Sequence, residues 1–297
     1  MEPFALTAAP GPSGFSFVFG SANNDLLSGT AGRDLMIGQD GHDTLSGGAG
    51  LDLLLAGAGN DHLQGGAGFD IMIGGDGGDT YEIDVTASGA DVIVDQGNAA
   101  ALNGSDELLL NGFTSEYDAI HQIGIQISGD DLVFTYDSGS GGGTVTISDH
   151  FRGAAFALEQ VNFGTGRIYH VSMLSGDQFT YSVHDGPDEG GEDIVLGTSG
   201  ADEIHGGIGN DLLVGGGGAD HFMFQDEGDA TSGHDIIQDF QAGQDKIDFS
   251  DQGGMTMADL TITDSSWGNA VITSAIGEIE LLGIAASEVD SSYFFFG

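Results

Sequence analysis

An apolar residue recurs at every ninth position near the start of the chain. The series has no polar member apart from the tyrosine hydroxyl at its end, and it comprises Leu27, Met36, Leu45, Leu54, Leu63, Met72 and Tyr81. A glycine-rich stretch separates each member from the next. This pattern predicts a structural repeat with a period of nine residues.

The nine-residue unit holds four columns in phase. All seven units from Gly20 to Glu82 have aspartate at the sixth place. Six units have glycine at the first place, with Ala56 as the exception, and six have glycine at the fourth place, with Asn23 as the exception. Glycine supplies 54 of the 297 residues, but glycine-rich coil would not keep four columns aligned over seven units. Three further units run from Gly197 to Met223, after a weaker unit that contains Asp193. Such repeats predict a solenoid.

The unit has the form G-G-x-G-x-D-x-U-x, and the chain resembles the RTX, or haemolysin-type calcium-binding, repeat proteins. The resemblance implies a parallel β-roll in which each six-residue turn makes a bend and the three-residue x-U-x makes a short strand. Two units then complete one coil of eighteen residues. The expected fold is all-β, with two calcium-binding parallel β-rolls flanking a β-hairpin-rich module. The expected segments are an N-terminal segment 1–19, a first roll 20–86, a middle module 87–187, a second roll 188–232 and a C-terminal β region 233–297 with a secretion signal.

Stacked aspartates are the candidate metal ligands, because calcium prefers six to eight oxygen ligands. With eighteen residues to a coil, the aspartates that meet are eighteen residues apart. One edge of the first roll then stacks Asp25, Asp43, Asp61 and Asp79, and the other edge stacks Asp34, Asp52 and Asp70. The second roll pairs Asp193 with Asp211 and Asp202 with Asp220. One ion between each pair predicts about seven calcium ions.

Backbone carbonyls are expected to complete each coordination shell. The resemblance places them within the first four positions of each turn, where glycine permits a positive φ that aims carbonyls inward. The glycines at these positions are Gly29, Gly32, Gly38, Gly41, Gly47, Gly50, Gly57, Gly59, Gly65, Gly68, Gly74, Gly77, Gly197, Gly206, Gly209, Gly215 and Gly218.

The charge balance agrees with a cation-binding protein. There are 47 acidic and 4 basic residues, for a formal net charge of −43. A negative charge of this size repels other anions, which disfavours nucleic acid and anionic membranes as partners. The absence of cysteine fits an extracellular protein that metal ions rather than disulfides stabilise.

The two ends of the chain bear on export. The start has neither the basic region nor the long apolar core of a secretory signal peptide. RTX proteins characteristically leave Gram-negative cells by type I secretion, and the acidic-then-aromatic ending EVDSSYFFFG resembles their uncleaved C-terminal signal. An aromatic terminal strand in a sheet would read the same, and both interpretations can hold together.

The segment Gly233 to Ser250 resembles the C-terminal region of serralysin-type secreted proteases. Four carboxylates there either help to hold an ion at the end of the second roll or cap turns: Asp235, Asp239, Asp245 and Asp248. The protease motif H-E-x-x-H does not occur in the sequence.

The middle of the chain alternates apolar and polar residues between turn signals, which predicts β-hairpins. Residues Gly129 to Gly166 resemble the haemolysin-type calcium-binding-related module, which has no established chemistry. His150 follows Asp149, a pairing that suggests acid–base chemistry or, as we expect, a surface or sheet-edge role.

The outward positions of the first roll are asymmetric, since side chains alternate along a strand. On one sheet they are mostly polar, and on the other they are all aliphatic: Leu35, Ile37, Leu53, Leu55, Ile71 and Ile73. Soluble proteins rarely leave such a patch bare. We expect the middle module or the second roll to cover it, with self-association or a protein partner as the alternative.

Together these patterns predict a secreted calcium-binding RTX protein that folds on calcium outside the cell, and not an enzyme. Its expected partners are calcium and the type I secretion apparatus, and its expected role lies at a surface, in a matrix or biofilm, or at a host. Two alternatives stay open: a membrane-active, cation-channel-like RTX protein, and a cryptic hydrolase in the middle module.

Overall fold

The computed structural model describes residues 4–7, 14–87, 89–95, 105–137, 142–150, 158–164, 167–173, 191–224, 233–250 and 252–297. The chain forms two compact units, unit 1 (Met1–Ile168) and unit 2 (Tyr169–Gly297). Parallel strands dominate both, so the all-β, β-roll fold expected from the repeats is confirmed. The expected segment boundary at 187–188 lies outside the described residues, and so does residue 232 at the boundary 232–233.

The first sheet of unit 1 consists of strands one coil apart. Each repeat strand pairs in parallel with the strand eighteen residues further on, as Leu45 does with Leu63. In spatial order the strands are β1 (Phe4–Thr7), β3 (Asp25–Thr30), β5 (Thr44–Gly50), β7 (His62–Gly68), β9 (Thr80–Asp84), β11 (Glu107–Asn111) and β15 (Gln160–Asn162).

The second sheet of unit 1 takes the alternate strands and then a hairpin. The parallel strands are β2 (Phe15–Phe19), β4 (Arg33–Asp40), β6 (Leu53–Ala58), β8 (Ile71–Asp76), β10 (Gly89–Ile93) and β14 (Gly142–Ile147). The antiparallel strands β13 (Asp131–Asp137) and β12 (Ile123–Ser128) extend it from β14. Helix α1 (Glu116–Gln122) precedes β12, with Ser115 as its N-cap.

The core of unit 1 is the ladder of eighth-place residues. All seven, from Leu27 to Tyr81, are completely buried. Ile93 of β10 and Leu108 of β11 extend the ladder beyond the repeats and are also fully buried. The inward orientation of the eighth place is therefore as the sequence predicted.

The strands are longer than the three residues that the repeat suggests. Strand β4 has eight residues, because the turn backbone of one coil pairs with that of the next. Gly57 shows how closely the turns stack. Its φ is 125°, and a methyl group built on it would lie 1.9 Å from the carbonyl oxygen of Gln39. The turns therefore add to the ladder and do not interrupt it.

Unit 2 also contains two parallel sheets. One contains β16 (Ile168–Met173), β17 (Glu192–Leu196), β19 (Leu212–Val214), β21 (Gly233–Ile237) and β25 (Gly277–Leu281), extended by the antiparallel strands β24 (Ala270–Thr273) and β23 (Thr261–Asp264). The other contains β18 (Glu203–His205), β20 (His221–Met223), β22 (Lys246–Phe249) and β26 (Phe294–Phe296). Short 3-10 helices lie at Met257–Asp259, Ala286–Glu288 and Ser291–Tyr293.

The aromatic tail forms part of the unit 2 core. Strand β26 pairs in parallel with β22, and Phe294 and Phe296 each stack on Phe249 at 6.2 and 6.0 Å between ring centroids. Phe294 is 7% exposed, whereas Phe295 on the opposite face is 49% exposed. The interpretation of the tail as a terminal strand is thus confirmed. Within this strand, Phe295 is the phenylalanine whose side chain is exposed.

Candidate metal centre

The repeat aspartates stack along two edges of unit 1. On the first edge, each backbone N–H donates to Oδ1 of the aspartate eighteen residues later: Asp25 to Asp43 at 2.8 Å, Asp43 to Asp61 at 2.6 Å and Asp61 to Asp79 at 2.9 Å. On the second edge the same bond joins Asp34 to Asp52 and Asp52 to Asp70, each at 2.8 Å. All seven aspartates are at most 3% exposed. The structure therefore brings together the aspartates that the spacing predicted.

The second carboxylate oxygen of most of these residues is buried without a hydrogen-bond donor. This holds for Oδ2 of Asp43, Asp52, Asp61, Asp70 and Asp79, and for Oδ2 of Asp211 and Asp220 in unit 2. A buried carboxylate oxygen without a donor is costly, because it has lost its water and gained nothing in return. Such a row of oxygens requires either protons or cations.

Backbone carbonyl oxygens face the same points. A methyl group built on Gly38 would lie 2.3 Å from Asp43 Oδ2 and 2.6 Å from the carbonyl oxygen of Ala56. A methyl group built on Gly47 would lie 2.6 Å from Asp52 Oδ2 and 2.7 Å from a carbonyl oxygen of the following coil. Carboxylate and carbonyl oxygens from turns eighteen residues apart therefore converge, and these are the ligands that calcium prefers.

Carbonyls are needed because side chains alone do not form a metal cage. Within the described part of the chain, no three His, Asp or Glu side chains are arranged to hold one ion. Two carboxylates and several carbonyls fit a large, flexible coordination shell such as that of calcium. Magnesium requires a tight octahedral shell and keeps its water, so it fits this arrangement less well.

The first turn on each edge differs from those that follow. Thr30 donates to Asp34 Oδ2 through its backbone N–H at 2.7 Å and through its hydroxyl at 3.1 Å. Ser21 makes the same pair of bonds to Asp25, and Thr198 makes them to Asp202 in unit 2. These hydroxyls occupy the second place, where the later turns have glycine except at Gln39. Protein donors therefore supply part of what a cation supplies further along each edge.

Comparison with protein family profiles gives a match in each of the two units. A profile of the RTX calcium-binding nonapeptide repeat (4 copies) matches residues 19–54 and 46–81. A profile of the peptidase M10 serralysin C-terminal region matches residues 195–275. The chain carries RTX calcium-binding repeats and a serralysin-like C-terminal domain. The resemblance of residues 129–166 to a calcium-binding-related module stays a prediction.

Among solved structures, the crystal structure of the extracellular lipase LipA from Serratia marcescens aligns with 16% sequence identity and a TM-score of 0.30. The alignment covers 97% of this chain and 41% of that one, so the chain spans less than half the length of this relative. Comparison with curated proteins found no match.

Burial changes the acidity of the RTX carboxylates. In the metal-free fold, burial raises the pKa of Asp52 and Asp61 to about 6 and that of Asp79 to about 7, with stacked carboxylates adding a smaller increase. In unit 2, burial raises the pKa of Asp220 to about 7. Protons and cations therefore compete for these oxygens near neutral pH.

The carboxylate ladder continues past the last full repeat of unit 1. The N–H of Asp70 donates to Asp91 Oδ1 at 3.0 Å, and the N–H of Asp79 donates to Asp106 Oδ1 at 2.7 Å. The N–H of Asp106 in turn donates to Glu159 Oε2 at 2.7 Å. A search for consecutive nine-residue units ends at Glu82 and misses these three residues. The shorter pattern G-x-D-x-U marks two of them, in GADVI (89–93) and GSDEL (104–108).

Unit 2 extends its ladder in the same way. Asp211 donates from its N–H to Asp235 Oδ1 at 3.0 Å, and Asp220 donates to Asp245 Oδ1 at 3.1 Å. Asp239 instead accepts from the N–H groups of Gly215 and Gly216 at 2.7 and 2.8 Å. Of the four carboxylates considered from the sequence, Asp235 and Asp245 join the ladder and Asp239 caps a turn. The fourth, Asp248, caps Ser250 and contacts His221.

His150 lies in the interior and not at a sheet edge. It is 5% exposed, and its Nδ1 accepts from the N–H of Leu158 at 3.2 Å. Burial lowers the pKa of His150 to about 4. The imidazole is therefore neutral at physiological pH. The described residues contain no helix that is long and apolar enough to cross a membrane.

Proposed function

We propose that the protein is a secreted calcium-binding protein that folds when it meets calcium outside the cell, and that it acts at a surface, in a matrix or at a host. The observation that carries this proposal is the ladder of buried carboxylates whose second oxygens have no donor. Without metal the ladder is a row of like charges in a low-dielectric interior. With metal, the free energy of binding becomes free energy of folding.

The calcium concentration outside cells suits such a switch. Extracellular calcium modules bind at about 10⁻⁴–10⁻³ M. A chain with a net charge of −43 that encounters little calcium before export would stay extended and available for secretion. The serralysin-like C-terminal domain supports export by the type I route.

The test is a calcium titration with matched variants. Far-ultraviolet circular dichroism should show coil in EDTA and β structure in millimolar calcium, with magnesium a poor substitute. The variant Asp61→Asn should lower the number of calcium ions bound per chain, because it removes a ladder carboxylate. The variant Asp40→Asn removes the same charge from an exposed position and should keep the full ion count. A chain equally folded in EDTA would contradict the proposal.

The secretion signal needs a variant that spares the fold. Deleting residues 289–297 would also remove β26 from its sheet, so loss of export would be ambiguous. Phe295 is the exposed ring of the tail. We expect Phe295→Ser to trap the protein inside a cell with a matching type I transporter while purified protein still folds on calcium. Normal export of this variant would place the signal elsewhere.

We propose a binding role and not a catalytic one. The neutral, buried His150 supports this, because a histidine whose pKa is about 4 and whose Nδ1 accepts a backbone N–H serves packing better than proton transfer at neutral pH. A screen of the calcium-loaded protein on protease, lipase and glycan substrates tests the proposal. Turnover that disappears in His150→Phe would favour the hydrolase alternative.

We also propose that the aliphatic face of the second sheet in unit 1 is a contact surface for a second copy. Its two rows are Phe17, Leu35, Leu53, Ile71 and Val92, and Phe19, Ile37, Leu55, Ile73 and Val94. The six aliphatic residues of the repeats are partly exposed, and the two phenylalanines are 60% and 55% exposed. The two rows contain no charged side chain, so two acidic chains can meet there without bringing carboxylates of these rows together.

The corresponding outward residues of unit 2 support a covered face. Ile194, Leu196, Leu212 and Val214 are at most 3% exposed. In unit 1, Leu53→Asp with Ile71→Asp should turn a calcium-loaded dimer into a folded monomer in sedimentation experiments. Thr44→Asp with Thr80→Asp on the polar sheet is the control and should leave the dimer intact. A parent that is monomeric at every concentration would contradict the proposal, and a double variant that fails to fold would favour an internal cover.

A further inference from the structure

Two backbone hydrogen bonds define each step of the carboxylate ladder in unit 1. In the repeats, the N–H of Asp61 donates to Asp79 Oδ1 at 2.9 Å, and the N–H of Thr80 donates to the carbonyl of Asp61 at 2.8 Å. The second edge has the same two bonds between the turns of Asp52 and Asp70, at 2.8 and 2.9 Å. This paired contact is the signature of a turn stacked in register on the next one.

Both bonds recur where no full repeat remains. From Asp70 the step reaches Asp91 at 3.0 Å, and the N–H of Val92 returns to the carbonyl of Asp70 at 2.9 Å. From Asp79 the step reaches Asp106 at 2.7 Å, and the N–H of Glu107 returns to the carbonyl of Asp79 at 2.8 Å. The strands that follow are in the same register as the repeats, with β10 on β8 and β11 on β9.

We propose that two further calcium ions bind beyond the last full repeat, one between Asp70 and Asp91 and one between Asp79 and Asp106, and that they fasten β10 and β11 to the roll. This inference rests on the proposed calcium-binding function. It assigns ligand roles to two carboxylates that lie outside the residues matched by the repeat profile, which end at 81.

An independent observation points to a ligand at each position. Asp70 and Asp79 are fully buried, and the Oδ2 atom of each has no hydrogen-bond donor. In the repeats the equivalent oxygen faces the stacked turn of the next coil. For these two residues the next coil is the one that contains Asp91 and Asp106, which are themselves 2% and 5% exposed. The two buried carboxylate oxygens that lack a hydrogen-bond donor therefore lie at the proposed sites.

The site beyond Asp79 has an additional oxygen. A methyl group built on Gly74 would lie 2.0 Å from Asp79 Oδ2 and 2.4 Å from the hydroxyl oxygen of Tyr81. At the equivalent point by Gly38, the second oxygen is the backbone carbonyl of the next coil. The tyrosine hydroxyl thus takes the place of a carbonyl. The carboxyl of Asp95, 1% exposed, also hydrogen-bonds to that of Asp106, so a second buried carboxyl group lies beside the proposed site.

The two edges differ beyond this coil. On the second edge, β10 pairs with β14 so that Asp91 lies beside Val145, which offers no carboxylate. On the first edge both bonds recur, because the N–H of Asp106 donates to Glu159 Oε2 at 2.7 Å and the N–H of Gln160 donates to the carbonyl of Asp106 at 3.0 Å. Asp106 has no buried carboxylate oxygen without a hydrogen-bond partner, so the proposal is confined to the steps from Asp70 and Asp79.

The first experiment counts ions in variants. Wild-type protein, Asp91→Asn, Asp106→Asn and the double variant are loaded with calcium, dialysed and analysed for bound calcium per chain. Each single variant should lose one ion and the double variant two. Asp84→Asn is the control, because this exposed carboxylate accepts from Thr86 outside the ladder, and it should keep the full count. Unchanged counts in folded variants would overturn the proposal.

Hydrogen–deuterium exchange locates the effect. In saturating calcium the double variant should lose protection at residues 89–93 and 107–111 and keep it in β4 to β7. Equal protection in the two proteins would contradict the fastening role. Should a variant not fold, anomalous scattering from wild-type crystals grown with calcium decides the question. Peaks beside Asp91 and Asp106 support the proposal, and repeat sites that are occupied while these positions are empty refute it.

The same data separate this inference from the function on which it rests. Wild-type protein that neither binds calcium nor folds with it would contradict the proposed function itself. Wild-type protein that folds on calcium, with an ion count unaffected by Asp91→Asn and Asp106→Asn, would overturn only the two additional sites.

Discussion

Removing calcium at neutral pH should unfold unit 1, and acidifying the metal-free chain to about pH 5 should restore part of its β structure. The reason is the pKa of the ladder carboxylates in the metal-free fold. Burial raises that pKa to about 6 for Asp52 and Asp61 and to about 7 for Asp79. A proton can then neutralise the same oxygens that a calcium ion neutralises.

The magnitude follows from linkage. An aspartate in the unfolded chain has a pKa of about 3.9, and each unit of difference is worth about 1.4 kcal/mol. Ionising Asp79 in the fold thus costs on the order of 4 kcal/mol, and ionising Asp52 and Asp61 about 3 kcal/mol each. Asp61 and Asp79 repel each other, so these costs are not independent. Together they are comparable with the whole stability of a typical domain, about 5–15 kcal/mol.

The sign is opposite to that of a salt-bridged carboxylate. Because the folded-state pKa is higher than the unfolded one, the stabilisation from bound protons is complete below about pH 4 and disappears as the pH rises through about 6 to 7. At about pH 7.5 the metal-free fold carries all three charges, and calcium must replace the lost protons. A pH of about 5 keeps the chain above its sequence pI of about 4.1 and therefore soluble.

The assay is far-ultraviolet circular dichroism on protein dialysed free of calcium, at about pH 5 and about pH 7.5, followed by calcium titration at each pH. We expect more β structure at the lower pH before calcium is added. The triple variant Asp52→Asn, Asp61→Asn and Asp79→Asn mimics the protonated ladder and should be folded without metal at both values. A metal-free wild-type chain that is equally folded at both, or better folded at neutral pH, would refute the reasoning.

Four further variants test single positions. Gln39 has a φ of 91° at a place where later coils have glycine, so Gln39→Gly should raise the free energy of unfolding in urea by about 1 kcal/mol. A methyl group on Gly59 would lie 1.8 Å from a backbone oxygen of the preceding coil, so Gly59→Ala should cost more than about 2 kcal/mol and raise the calcium midpoint. Gly129→Ala, at positive φ but in open space, should cost only about 1 kcal/mol, and equal effects would contradict the stacking argument. In unit 2, hydrogen bonds to the buried Glu280 raise the pKa of His234, so its contribution to stability should fall as the pH rises through that pKa, and His234→Gln should flatten this dependence in urea titrations at several pH values.

The sequence predicts the repeat part of the fold well because the nine-residue period determines which residues stack and which face the core. A glycine-rich turn every nine residues fixes which aspartates stack, and one apolar residue per unit fixes the core. Leu45 and Asp43 show both effects, the first fully buried between the sheets and the second bonded to the aspartates eighteen residues to either side. The asymmetry of the two outer faces follows from the same alternation.

Features that depend on one unit's neighbours were not visible in the period. Ser21 and Thr30 lie at the second place of the unit, where the repeat pattern shows only that glycine is missing. In the structure their hydroxyls donate to the first carboxylate of each edge. The terminal aromatics had two interpretations because a strand and an export signal share the same residue types. Only the pairing of β26 with β22 distinguishes the buried Phe294 from the exposed Phe295.

The extension of the ladder was missed because insertions change the count along the chain without changing the distance between turns. The steps from Asp70 to Asp91 and from Asp79 to Asp106 span 21 and 27 residues, and the corresponding steps in unit 2 span 24 and 25. In each case the sequence has a glycine two positions before the aspartate at which the ladder resumes. The two backbone hydrogen bonds of each ladder step involve only the aspartate and the residue after it, so they do not depend on the number of residues between turns. The register is therefore set by the aspartate and its preceding glycine, and a carboxylate ladder of this type can extend as far as G-x-D-x-U recurs at any spacing that a loop can span.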